Sequence, residues 1–156
     1  MVQATLLFLR NEDSILLAMK KRGFGVDKWN GVGGKIEENE TPSLAAIREC
    51  KEEIGVTPEF LTDAGTLTFN FPSDDASPMN TEVRVFTCTH WKGEPHETEE
   101  MRPQWFALTE IPYDQMWVDD QYWLPLVLEN KIIEGTFTFN EKEELVDHSV
   151  KEIHQM

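Results

Sequence analysis

Residues 2–10 are aliphatic and β-prone, Asn11-Glu12-Asp13 breaks the run with a turn signal, and residues 14–19 are apolar again. Two strands joined as a hairpin are expected from this pattern. After residue 41 the spacing of apolar positions lengthens. Thr41 suits a helix N-cap, Pro42 the first helical position and Gly55 the residue just past the end, which predicts a helix over Pro42–Ile54. Ile47, Cys50 and Ile54 form its apolar stripe. Segments 66–71, 82–90 and 102–108 read as further strands, with a polar loop at 72–80. A second helical pattern covers 121–129 after Asp119-Asp120; Pro125 within it is tolerable only near a first turn. Strand-like segments 132–139 and 145–153 finish the chain. Without repeats or a linker, the expected architecture is one domain over 1–156: an α/β (α+β) sandwich, a mixed sheet flanked by two helices.

Composition narrows the classes. A chain of 156 residues, 40% hydrophobic, can bury a core without staples. No apolar run reaches the roughly 20 residues of a membrane span, and the first ten residues lack a secretory pattern, so a cytoplasmic protein with no membrane partner is expected. Cys50 and Cys88 sit in apolar patterns and read as buried thiols. The net charge of −15 argues against binding long nucleic acid but leaves small substrates and cations open. Against that background Lys20, Lys21, Arg22, Lys28 and Lys35 reverse the local sign, as a ligand-facing loop or a solvated one. Gly23, Gly25, Gly31, Gly33 and Gly34 share that region and permit close backbone approach to a ligand.

Six glutamates lie between Gly33 and Val56. On the helix, Glu49, Glu52 and Glu53 share an arc of about 100°, apart from the apolar stripe. Ala45 and Ala46, one turn earlier, are small enough to leave room for hydrated ions. Such crowding is relieved by a hard divalent cation; Mg²⁺ takes oxygen ligands and keeps waters that a phosphate can replace. The plain alternative is a solvated acidic face with Arg48 and Glu52 as an i,i+4 pair. Spacing decides between them. Gly34, Glu40, Arg48-Glu49, Glu52-Glu53, Gly55 and the apolar Val56 stand at the offsets of the Nudix box, which this segment resembles at every fixed position, with Cys50 where an aliphatic residue is usual.

The resemblance implies cleavage of a nucleoside diphosphate linked to another moiety, with Mg²⁺ or Mn²⁺ held on a loop-helix-loop. It implies Glu49, Glu52 and Glu53 as metal ligands or the base for the attacking water, Arg48 as their orienter, Gly34 as a backbone-carbonyl ligand and Glu40 as a brace. Glu100, in a cluster with Glu97 and Glu99, would complete the site from a loop, or else belong to a solvated acidic loop.

The stretches MKKRGFG, KWNGVGGK, EEMRPQWF and MWVDDQYWLPL resemble the animal-type MutT branch of the family, which hydrolyses oxidised purine nucleoside triphosphates such as 8-oxo-dGTP and 2-oxo-dATP. That likeness implies a purine pocket: Trp117 stacking on the base, Phe24 and Phe69 closing it, Asn30 bonding a base edge, and Thr5 and Lys20 on its lining. Asp119-Asp120 either caps the following helix or faces the base and shares one proton, so that one carboxyl accepts and the other donates. Segment 72–81 departs from the branch's pattern. The expected partner is a small nucleotide, bound by a monomer. Rival readings are a Nudix hydrolase of a dNTP, ADP-ribose or a dinucleoside polyphosphate, a silent nucleotide sensor, and a cation buffer.

Overall fold

The computed structural model describes residues 1–23 and 25–154. Strands β1 (Val2–Leu9), β2 (Ser14–Lys20) and β3 (Trp29–Asn30) precede helix α1 (Pro42–Ile54). Then come β4 (Thr57–Glu59), β5 (Thr62–Asn70), β6 (Thr81–Cys88), β7 (His90–Lys92) and β8 (Met101–Ala107). Two short 3-10 turns lead to helix α2 (Asp120–Leu128), and β9 (Ile132–Phe139) and β10 (Leu145–Ile153) close the fold.

The main sheet has the order β1-β6-β5-β9-β10, with β1–β6 and β5–β9 parallel and the other two pairs antiparallel. A second sheet is antiparallel β3-β2-β8, and β4 pairs with β7. The mixed sheet with two helices is therefore as expected. The helix α1 has the expected bounds and caps. Thr41 Oγ1 accepts the Leu44 N–H at 3.2 Å, and Gly55 takes φ 76°, where only glycine is unstrained.

The opening hairpin is not formed. The turn is there, with Asn11 Oδ1 accepting the Asp13 and Ser14 N–H groups, but a single bridge pair, Arg10 with Ile15, links the two strands. β1 instead pairs with β6, and β2 with β3 and β8. The cause is burial on both faces: Leu7 and Leu9 pack toward α1 while Phe8 packs toward α2, meeting Trp123 with ring centroids 5.9 Å apart. A strand covered on both sides reads as an uninterrupted apolar run and gives no hint of which neighbour it takes. Arg10 ends β1 buried, its Nη1 donating to the Leu128 carbonyl at the end of α2 (3.0 Å), and burial lowers its pKa.

Three further expectations are corrected. The helix at 121–129 begins one residue earlier, at Asp120, and Pro125 is its sixth residue rather than in its first turn. Trp29–Asn30, Thr57–Glu59 and His90–Lys92 are strands too short to show a period. Ala45 and Ala46 are fully buried, so they seat α1 on the core instead of leaving space beside the acids.

Candidate active site

Segment 31–36 is laid along β1 by reciprocal backbone bonds: Leu7 and Val32 exchange N–H groups, the Thr5 N–H donates to Gly34 O at 2.9 Å, and the Ile36 N–H to Gln3 O. This closeness explains the glycines. A Cβ on Gly33 would sit 2.0 Å from the Thr5 carbonyl oxygen, and one on Gly34 would sit 2.6 Å from Glu49 Cδ. The loop is thereby set against the acidic face of α1.

Arg48 organises that face. Its Nε and Nη2 hold the two oxygens of Glu40 at 2.8 and 3.0 Å, Nη2 also reaches Lys35 O, and Nη1 holds Glu49 at 2.9 Å and Glu52 at 3.4 Å. The paired guanidinium keeps the Glu40 carboxyl below its ordinary pKa. Glu40 also accepts the Glu37 N–H, so the brace expected of it is in place. Glu52 is exposed, Glu49 half-buried and Glu53 buried at 7% exposure.

Glu53 is the outlier. Burial first, then the neighbouring Glu49 carboxyl, push its pKa up to about 8, partly offset by the Gly33 amide and Lys20. Its Oε2 is buried with no hydrogen-bond partner among the described residues. A carboxylate oxygen held dry beside a second acid is a poor end state for a protein alone and a good ligand for a dication. Among the described residues no three His, Cys, Asp or Glu side chains are gathered tightly enough to grip an ion unaided. Arg48 now occupies Glu49 and Glu52, and the Gly34 carbonyl already accepts one hydrogen bond. Nudix hydrolases use divalent metal ions, and the orphaned oxygen, in a cavity that Gly34 also lines, suits one.

Glu53 lines a cavity of about 400 Å³ together with Glu100, Lys20, Gly33 and Gly34. The same cavity is lined by Thr5, Asn30, Trp117, Asp119, Asp120 and Phe69, so the structure brings together every expected purine-pocket residue that it describes. Phe24 lies outside the described residues. Lys28 places its ammonium 5.2 Å from the Trp117 ring centroid. Asn30 Oδ1 accepts the Gly31 N–H at 2.8 Å, which leaves its amide nitrogen as the donor toward a ligand. Thr5 is 3% exposed, and its buried hydroxyl lacks a partner among the described residues.

Capping does not explain the aspartates. Asp119 stands at the N-cap of α2 with helical backbone angles and makes no cap hydrogen bond. It accepts instead from Trp123 Nε1 at 2.8 Å, while Asp120 Oδ2 is buried without a partner among the described residues. Burial raises both pKa values. Asp120 goes well above the ordinary range because the Asp119 charge adds to its burial, whereas hydrogen bonds from Trp123 and Asp120 restrain Asp119. Both shifts favour a shared proton, and the stronger upward push falls on Asp120.

Sequence reasoning missed part of the wall. Beside the expected Phe69, the cavity is lined by Phe71, Val83, Phe139 and Trp123, and Phe69 stacks on Phe137 at 5.7 Å and Phe71 on Phe139 at 5.4 Å. The signal was legible: Phe69 and Phe71, like Phe137 and Phe139, are two apart and so share a strand face. In segment 72–81, Met79 is 66% exposed and Pro78 supplies the contact.

The NUDIX domain family matches residues 1–127. The mouse (Mus musculus) oxidized purine nucleoside triphosphate hydrolase is 42% identical over 149 residues, covering 96% of this chain and 94% of the mouse protein. The zebrafish (Danio rerio) protein of the same name is 41% identical over 152 residues, covering 97% and 96%. Among solved structures, the MutT protein from Bacillus halodurans superposes with a TM-score of 0.83 at 22% identity, over 96% of this chain and 97% of that one, a likeness of fold. With its acid-bearing helix, glycine loop and full-length relatives in agreement, this chain belongs to the Nudix hydrolase family.

Proposed function

We propose that this protein is a Mg²⁺-dependent pyrophosphohydrolase that converts oxidised purine nucleoside triphosphates, 8-oxo-dGTP and related species, to the monophosphate and pyrophosphate. One observation carries the reading: a single cavity is lined at once by Glu53 and Glu100 and by Trp117, Asn30 and the Asp119-Asp120 pair. The names of the mouse and zebrafish relatives support it. Two buried free thiols suit a reducing compartment such as the cytoplasm.

In this reading the base slides against Trp117, gaining about 1–3 kcal/mol from stacking. Asp120, protonated, donates to a base acceptor while Asp119 accepts from a base N–H, and Asn30 donates to a further edge. A proton that can sit on either carboxyl lets one pocket serve guanine-like and adenine-like edges. The bound base aims the phosphate chain toward α1, where Glu49, Glu52, Glu53, Glu100 and the Gly34 carbonyl are the ligand set. Bound there, a divalent ion supplies neutralisation of phosphate charge and a more acidic water. Arg48 keeps the free glutamates in register, and Lys20 offers a positive charge to the incoming anion. Glu53, whose dry environment makes it the stronger base, takes the proton of the attacking water.

The test is steady-state hydrolysis of 8-oxo-dGTP, 2-oxo-dATP, dGTP, ADP-ribose and a dinucleoside polyphosphate, with and without Mg²⁺, with Glu53→Gln as control. Preferential hydrolysis of an oxidised purine, lost when Mg²⁺ is removed or Glu53 is replaced by glutamine, is expected. Equal turnover of dGTP and 8-oxo-dGTP would overturn the substrate while sparing the chemistry, and tight binding without release of pyrophosphate would overturn the chemistry.

A further inference from the structure

We propose that Thr98 is a positioning residue whose hydroxyl sets the separation of Glu53 and Glu100, and through it the grip of that pair on a divalent cation. The inference rests on the reading of both glutamates as cation ligands. Thr98 Oγ1 donates to the Glu53 carbonyl at 2.9 Å and accepts the N–H groups of Glu100 and Met101 at 3.3 and 3.2 Å. Its own N–H donates to Met101 O at 2.9 Å. One hydroxyl therefore ties the last turn of α1 to the start of β8, joining the two segments that present Glu53 and Glu100 to the cavity.

The join has a physical reason. A helix leaves its last four carbonyls without intrahelical donors, and here the strand-side segment supplies donors to two of them: Thr98 for Glu53, and the His96 N–H for Ile54 O at 3.1 Å. The far side of the loop is held by the basic segment, where the Lys21 N–H donates to Glu100 O at 2.9 Å and the Lys21 ammonium pairs with Glu97. Only a side chain that donates and accepts at one atom can satisfy a carbonyl and two amides together, which serine can do and valine cannot. Thr98 is not among the residues lining the cavity, so it acts through its neighbours.

The experiment measures Mn²⁺ binding to the nucleotide-free, full-length protein by electron paramagnetic resonance, alongside thermal melting. Thr98→Val should weaken Mn²⁺ binding by roughly tenfold, as loss of an outer partner of a ligand does, while Thr98→Ser restores it. Added to Glu100→Gln, Thr98→Val should weaken binding little further, because the ligand it positions is gone. A purely structural role would lower the melting temperature of Thr98→Val and leave its Mn²⁺ affinity at the wild-type value, which would overturn the proposal. So would effects of Thr98→Val and Glu100→Gln that multiply in full. Should Thr98→Val fail to fold, Thr98→Ala is judged by the same criteria. Wild-type protein that binds no Mn²⁺ would sink the reading of the glutamates and this inference with it, whereas wild-type binding with unaltered Thr98→Val sinks the inference alone.

Discussion

Replacing Glu53 by glutamine is expected to end hydrolysis and, in protein stripped of divalent ions, to raise the stability of the fold at alkaline pH. The Glu53 carboxyl titrates near its ordinary 4.5 in the unfolded chain and at about 8 when folded. Between those values the folded state holds a proton that the unfolded state has lost, so stability falls as pH rises through the window and is lowest above 8. Each pH unit of the gap is worth about 1.4 kcal/mol, and the window therefore spans a few kcal/mol. Glutamine carries no charge to desolvate, and its amide can donate to Glu49 as the protonated acid does. The titrations of Asp119 and Asp120 are common to both proteins and cancel in the difference. In EDTA at pH 8.5 the variant should melt higher than wild type by about 10 °C, on the scale of 2–4 °C per kcal/mol for a domain of this size. Near pH 4.5 the gap should close. Saturating Mg²⁺ should reverse the order, since only wild type gains its full binding energy. Thermal melts at four pH values with and without Mg²⁺ suffice. A gap of the same size at pH 5 and pH 8.5 would show that Glu53 is not held against its charge, and the argument from its orphaned oxygen would fail.

Three other outcomes follow from the same geometry. Asp120→Asn keeps a neutral donor and should retain activity while flattening its dependence on pH, whereas Asp119→Asn removes the acceptor and should raise KM for 8-oxo-dGTP by about tenfold or more, the cost of a lost hydrogen bond to a charged group; equal small effects across pH 5 to 9 would count against base reading by this pair. Trp117→Ala should weaken binding of the oxidised purine substrate by about 1–3 kcal/mol, between about fivefold and 150-fold in KM, with little change in kcat. Gly34→Ala places a methyl 2.6 Å from Glu49 Cδ and should cost metal affinity and kcat, read by Mn²⁺ titration and turnover.

How much of this was legible from the sequence varies with the kind of interaction. The α1 helix was, to the residue, because Thr41, Pro42 and Gly55 are local signals whose physics is settled within one turn. The pairing of β1 was not. A strand buried on both faces has no polar side to orient it, and its partner lies some eighty residues away. The site divides along the same line. Fixed offsets along one helix and loop pointed to Glu49, Glu52, Glu53 and Gly34, and to Arg48 as their orienter, yet spacing said nothing of the same guanidinium gripping both oxygens of Glu40, because that depends on where a flexible side chain reaches. Asp119 and Asp120 had two readings, cap or ligand-facing pair, and only their burial and the Trp123 bond separate them. Thr98 had no sequence signal, since a threonine in an acidic loop is unremarkable until the carbonyl above it is seen.

The first strand is the spine of the site: it carries Thr5 into the cavity, anchors segment 31–36 along one edge and pairs with β6 along the other. Synthesis runs from the amino end, so this strand is made about eighty residues before the neighbour that closes its second edge. While the ribosome extends the chain toward residue 88, a hydrophobic ribbon waits with its second edge open, and unpaired edges of that kind seek other chains. Such delayed closure makes nascent protein, rather than finished enzyme, the form most in need of a chaperone.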